Sequence, residues 1–192
     1  MRVIFLFTHL GAGGSLLCKT LAENPRIATI GHSGLSYQHP LHLNLLLSKV
    51  ITGKPYPGFY LLDKLIHNYE FSCYELLKDS FNLILIREPA GTINHLVKEH
   101  GYSLRSAKSY YLFRLRRLSE ISRKCRVLFL EYPDLAKQET YGEIKKYLKI
   151  KGEFYAPLWN NSEVKIEGIA ELNRKFEKYK KFIAQAFQLP VS

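Results

Sequence analysis

Five consecutive residues, Gly11-Ala12-Gly13-Gly14-Ser15, carry the clearest chemical signal in the chain. They follow the apolar run Val3–Phe7 and open a segment, Ser15–Glu23, that reads as a helix. Glycines let the main chain take positive φ and approach a ligand closely. The N–H groups at the start of the helix have no helical acceptor, and with the helix dipole they form a site for an anion. The Ser15 hydroxyl adds a donor. The unit therefore reads as a cradle for a phosphate-like group of a nucleotide; a tight strand-to-helix turn without ligand is the plainer alternative. Arg87 ends a second apolar run, Asn82–Ile86, beside Pro89 and ahead of another helical segment. A guanidinium fork there suits bidentate contact with phosphate, or a structural ion pair. Histidines at positions 9, 32, 39 and 42 bring imidazoles able to take a proton near pH 7, without the spacing of a metal site.

The turn is neither of the two commonest nucleotide loops. A Walker A loop ends in Gly-Lys-Ser/Thr, whereas here Lys19-Thr20 follows Cys18, several residues inside the helix. No acidic residue ends a second strand about 20 residues on, as a dinucleotide fold requires.

These residues need elements to hold them. Val3–Phe7, Arg26–Ile30, Asn82–Ile86 and Arg126–Leu130 read as strands, the unbroken apolar runs among them as strands buried on both faces. Ser15–Glu23, Leu41–Val50, Ala90–His100, Leu104–Lys124 and Pro133–Leu148 read as helices. Tyr60–Leu77 reads as helical in parts. Leu104, Ala107, Tyr111, Leu115 and Leu118 form a stripe at spacings of three and four, and Ile169, Leu172, Phe176, Tyr179 and Ile183 mark a last amphipathic helix. Strands alternating with helices imply an α/β fold: one parallel sheet with helices on both faces and ligands at the carboxyl ends of its strands.

The chain has 192 residues, 46% hydrophobic and 23% charged, values expected of one globular domain over residues 1–192. No apolar run is long enough to span a bilayer, and Cys18, Cys73 and Cys125 form no disulfide framework, so a cytoplasmic protein with reduced thiols is expected. Asn160-Asn161-Ser162 is a glycosylation sequon only if the chain is secreted. A net charge of +11 favours anionic partners without choosing among them. Much of it lies at Arg105, Lys108, Arg114, Arg116, Arg117, Arg123, Lys124 and Arg126, readable as the solvated face of a helix; no motif supports a specific nucleic-acid partner.

Four segments in order resemble the PAPS-dependent sulfotransferases (PAPS is 3′-phosphoadenosine 5′-phosphosulfate). Leu10–Leu17 occupies the place of that family's phosphosulfate loop, and Leu21-Ala22-Glu23-Asn24-Pro25-Arg26-Ile27 is similar to the stretch after it. Leu83–Pro89 resembles the strand and Arg-Asp/Asn-Pro that hold the 3′-phosphate. Cys125–Leu135, with Tyr147-Leu148-Lys149-Ile150 beyond, resembles the late strand and its sequel. The likeness runs from about Val3 to Ile150 and is weakest over Ser33–Phe81.

The resemblance implies a P-loop NTPase-like α/β fold and sulfuryl transfer from PAPS, leaving 3′,5′-bisphosphoadenosine (PAP), to a hydroxyl or amine of a small-molecule, glycan or peptide acceptor, with no metal. It implies that Gly11, Ala12, Gly13, Gly14, Ser15 and Leu16 hold the 5′-phosphosulfate. Arg87, with His95 or the adjacent Asn94 at the family's serine position, would hold the 3′-phosphate. His32 falls where one branch keeps its base, and His9, at the end of the first strand, is its rival. The family's first-loop Lys/Arg falls on Gly11; Lys19 is a candidate to reach back in its stead. Lys54 and the aromatic loop Tyr56–Tyr60 are candidates to line an acceptor site. A non-catalytic nucleotide-binding protein on the same fold and a nucleotide-dependent phosphotransferase are the alternatives.

Overall fold

The computed structural model describes residues 2–50, 59–157 and 169–186. Five strands form one all-parallel sheet: β1 (Arg2–Phe7), β2 (Ile27–Thr29), β3 (Tyr60–Leu65), β4 (Phe81–Ile86) and β5 (Val127–Glu131), in the order β2-β3-β1-β4-β5. Among the described residues six helices accompany it: α1 (Gly14–Ala22), α2 (His42–Val50), α3 (Pro89–His100), α4 (Leu104–Ser122), α5 (Gln138–Leu148) and α6 (Ala170–Ala186).

Both faces of the sheet are covered, which is why its strands read as continuous apolar runs. Val3, Phe5 and Phe7 of β1 point into a core built with α2, α3, α4 and α6, while Ile4 and Leu6 point into one built with α1 and α5. The α/β architecture expected from the sequence is thus present.

Local chemistry sets the helix ends. Glu88 caps α3, its carboxylate accepting from Gly91 N–H at 3.1 Å, Pro89 supplies the fixed φ of the first turn, and Gly101 at φ 66° closes the helix. Ser103 caps α4, accepting from Ser106 N–H at 3.1 Å.

Two expectations are corrected. Tyr60–Leu77 is not helical at its start: Tyr60–Leu65 is β3, paired with both β1 and β2, and only short 3-10 turns follow at Asn68–Glu70 and Tyr74–Leu77. Asp63-Lys64 breaks the apolar run there, yet Asp63 is fully buried because distant groups satisfy it. Pro133–Leu148 is two pieces, a 3-10 turn over Tyr132–Ala136 and then α5, separated by Lys137 at ψ 129°.

The chain leaves β1 toward one edge of the sheet, through β2 and back to β3, then crosses to β4 and β5 on the other side. The carboxyl ends of β1 and β4 therefore flank a topological switch point, the place where open α/β sheets form their crevice.

Candidate functional site

The glycine turn leads from β1 into α1. Gly11 and Gly13 sit at φ 78° and 83°, conformations that side chains other than glycine's adopt only with strain. A Cβ on Gly11 would lie 2.8 Å from His95, and one on Gly13 2.7 Å from the Tyr132 ring. No side chain caps α1 and no acidic residue stands in its first turn. The N–H groups of Gly13, Gly14, Ser15 and Leu16 precede the first helical hydrogen bond, from Leu17 N–H to Gly13 O at 3.0 Å, and so have no acceptor within the helix.

Lys64 adds a cation to this turn. It lies near the carboxyl end of β3 and points to the α1 face of the sheet, packing on Gly14 and donating from Nζ to Ser15 Oγ at 2.7 Å. Among the described residues it has no carboxylate partner. With its oxygen accepting from Lys64, the Ser15 hydroxyl keeps its own hydrogen for a ligand.

Arg87 closes the other side. It follows β4 directly, and its guanidinium lies 4.1 Å from the Tyr132 ring centroid, a cation–π contact, while Nη1 donates to Gly11 O at 3.2 Å. Its Nε is buried without a hydrogen-bond acceptor; the Glu88 carboxylate forms an ion pair with it at 3.6 Å, the structural alternative read from the sequence, but stands beyond hydrogen-bond range. Gly91 makes room for this arrangement, since a Cβ there would lie 2.5 Å from Nε and Nη2. His95 and Asn94 are half-buried on α3, His95 packed on Gly11 with its pKa lowered by burial first and then by the charge of His100. The structure thus brings the glycine turn, Arg87 and His95 together.

The two candidate bases differ sharply. His9 is fully buried, and burial lowers its pKa to about 4. Its Nε2 accepts from Arg87 N–H at 3.0 Å and its Nδ1 lies 2.9 Å from Leu10 O, so both nitrogens are committed to main chain. That environment suits a positioning role between β1 and β4 and leaves no lone pair for a substrate. His32 lies beyond β2, 29% exposed, with Nε2 2.6 Å from Oε1 of the fully buried Glu70. Glu70 is itself fixed by N–H groups of Ile66 and His67 at 2.6 and 2.8 Å. With Nε2–H donated to Glu70, the lone pair of His32 sits on Nδ1. A second carboxylate anchors the same loop: Asp63 accepts from Ser33 N–H, Ser33 Oγ and Tyr37 Oη at 3.0, 2.5 and 2.6 Å. Burial holds the Asp63 pKa above the usual carboxylate value, and these donors offset that only in part.

Helix α4 buttresses the crevice from behind. Tyr110 Oη accepts from Leu10 N–H and donates to Ile66 O, and Tyr111 Oη donates to Arg87 O at 2.6 Å. Arg114, 2% exposed, donates to Thr8 O, Leu65 O and His67 O and to Asn68 Oδ1. Arg117 donates to Tyr74 Oη and Phe71 O. The basic segment is therefore not simply a solvated face: Arg114 points inward and ties the ends of β1 and β3 together, and Arg117 holds the Phe71–Tyr74 stretch between β3 and β4.

Sequence reasoning missed Lys64, Asp63 and Glu70, all in the stretch read as helical in parts. The available signal was a charged pair inside the short apolar run Tyr60–Leu65. Lys54, Tyr56-Pro57-Gly58 and the sequon at 160–162 lie outside the described residues, while Tyr60 begins β3 with its hydroxyl donating to Leu148 O. Lys19 is exposed on α1. Cys18, Cys73 and Cys125 are free. No described helix is long and apolar enough to cross a membrane, and among the described residues no group of three or more His, Cys, Asp or Glu could hold a metal ion.

No protein-family model matches the chain, and no curated protein matches its sequence. Solved structures do match its fold. A sulfotransferase from Alicyclobacillus acidocaldarius superposes with a TM-score of 0.60 at 13% identity, over 100% of this chain and 97% of that one. The sulfotransferase domain of the Synechococcus olefin synthase gives 0.59 at 17%, over 79% and 74%. A mouse sulfotransferase complexed with PAP gives 0.55 at 11%, over 100% and 67%. At these identities the likeness is one of fold: the chain is a divergent example of the sulfotransferase fold, in agreement with the resemblance read from its sequence.

Proposed function

We propose, from the premise of a sulfotransferase fold, that the chain is a single-domain enzyme moving a sulfuryl group from PAPS to an acceptor hydroxyl or amine and releasing PAP. One observation carries this reading: at a single switch point an uncapped glycine-turn helix faces Arg87, whose Nε is buried without an acceptor. A buried guanidinium donor left open in this way fits a phosphate that completes its bonding. The PAP in the mouse neighbour supports the same nucleotide.

PAPS, when bound, supplies an activated sulfuryl group. The protein's part is to bind, orient and move a proton. In this reading Gly11, Ala12, Gly13, Gly14, Ser15 and Leu16 hold the 5′-phosphosulfate through main-chain N–H groups and the Ser15 hydroxyl. Arg87, with His95 and Asn94, holds the 3′-phosphate. Lys64 takes the electrostatic task that the glycine at position 11 cannot perform, which removes the need for Lys19 to reach back. His32 takes the acceptor's proton at Nδ1 while Glu70 fixes the ring; His9, with both nitrogens engaged, positions the Arg87 main chain instead. A small molecule, glycan or peptide serves as acceptor.

Calorimetry decides the nucleotide. PAP is expected to bind well ahead of ATP and AMP, and equal affinities would sink the reading. Arg87→Ala should weaken PAP binding about 10- to 100-fold, the worth of one or two charge-assisted hydrogen bonds; an unchanged affinity would remove the 3′-phosphate role. His32→Ala should slow sulfate transfer about 100-fold, as loss of a general base does, and leave PAP affinity intact. Loss of both would mark His32 as structural. The second reading, a non-catalytic PAP-binding protein, draws on Gly11 where the resembling family keeps a cation; tight PAP binding with neither transfer nor hydrolysis of PAPS would favour it.

A further inference from the structure

Beside the glycine turn lies an open hollow of about 200 Å³, between α1 and the ends of β2 and β3. Ser15, Cys18, Lys19 and Ala22, spaced three and four apart on one face of α1, form one wall. Thr29 and Gly31 form another, and Lys64 closes the end toward the cradle.

The charge of this hollow is one-sided. Its two lysines come from different elements, and no acidic residue lines it. Among the described residues neither lysine has a carboxylate partner. Cys18 contributes no counter-charge, because burial pushes its thiol up to about 12. The other lining side chains are small, so space rather than bulk faces the ammonium groups.

Position and size narrow the occupant. The hollow shares Ser15 and Lys64 with the cradle, and Gly31 immediately precedes His32. It therefore adjoins the proposed sulfuryl-holding turn at one end and the start of the loop that carries His32 at the other, a place open to part of an acceptor. At about 200 Å³ it is smaller than sites that enclose whole ligands, so it takes one arm of a larger molecule. We infer that the hollow between α1 and β2 receives an oxyanion borne by the acceptor itself, held by Lys19, so that the preferred acceptor is a hydroxyl compound carrying a carboxylate or a sulfate ester close to the nucleophile. This rests on the sulfotransferase reading for the word acceptor, while the anion site stands on the hollow alone.

The test uses 4-hydroxybenzoate, its neutral isostere 4-hydroxybenzamide, and 4-hydroxyphenyl sulfate, each titrated by ligand-observed NMR into the full chain with and without PAP. In the wild type the anions should bind about two- to fivefold tighter than the amide, as expected of a partly screened ion pair, and the margin should shrink as salt rises. The two anions separate a carboxylate arm from a sulfated one. Lys19→Met, at an exposed position, should erase the margin and keep PAP affinity; Lys19→Arg should restore it. Equal binding of anion and amide to the wild type overturns the proposal, as does a margin that survives Lys19→Met. A Lys19→Met protein that instead loses affinity for adenosine 5′-phosphosulfate hands the hollow to the donor and overturns it too. Failure of PAP to bind at all sinks the sulfotransferase reading, yet the anion-against-amide comparison on the protein alone still decides the hollow.

Discussion

Lys64→Met is expected to lower sulfate transfer about 10²- to 10³-fold and to weaken PAP binding by a distinctly smaller factor. A donor aimed at developing charge is typically worth that much, and Lys64 reaches the glycine turn with a cation through Ser15 Oγ at 2.7 Å. When the S–O bond breaks the bridging oxygen stays on PAP as a 5′-phosphate oxygen, so a residue that serves it contributes to PAP binding as well, by less than it contributes to the rate, where the charge on that oxygen develops. Lys64→Arg keeps the charge and should recover part of the rate. Single-turnover transfer from PAPS, followed beside PAP calorimetry, separates the two effects. A rate within a few-fold of wild type would show that the turn works without this cation. An equal fall in rate and PAP affinity would make Lys64 a general anchor for the nucleotide.

The second large effect concerns stability. Arg114→Met should destabilise the fold by about 3–5 kcal/mol, the usual consequence of removing one partner from a buried charged network. Arg114 gives Nε to Thr8 O at 2.7 Å, Nη2 to Leu65 O at 2.5 Å and Nη1 to His67 O at 2.8 Å. Methionine fills much of the volume and satisfies none of those carbonyls. Arg114→Lys should recover little, since one ammonium cannot reproduce a planar fork. Chemical denaturation monitored by circular dichroism reads the change directly. A loss below about 1 kcal/mol would mean that water satisfies the freed carbonyls and that α4 is not the tie described.

Which parts of this molecule were legible in its sequence follows from how local each part is. β1, β4 and β5 announce themselves because both their faces are buried by apolar residues. β3 does not, because Asp63 is tolerated inside only through Ser33 and Tyr37, whole segments away. The glycine turn and Arg87 can be read locally, as special backbone and as a strand-end arginine before proline. Lys64 and Glu70 become site residues only through pairing register and tertiary contact. Arg114 was hidden for another reason: its type suggested solvent, although the spacing 111–114–118 puts it on the buried stripe with Tyr111 and Leu118. Residue type and spacing point opposite ways at this position, and the structure follows spacing.

The contact between Lys64 and Ser15 spans 49 positions of sequence. A phosphate loop that carries its own lysine can be complete as soon as one strand, turn and helix are formed. Here the charge arrives on a different strand, and it reaches the turn only when β3 has docked against β1 in register, Leu6 opposite Lys64. Whatever Lys64 lends to anion binding at this turn thus depends on a contact of high contact order rather than on the local motif alone. It follows from linkage that an anion seated there stabilises the β1–β3 pairing in proportion to its binding, so the ligand and the central strands of the sheet hold one another in place.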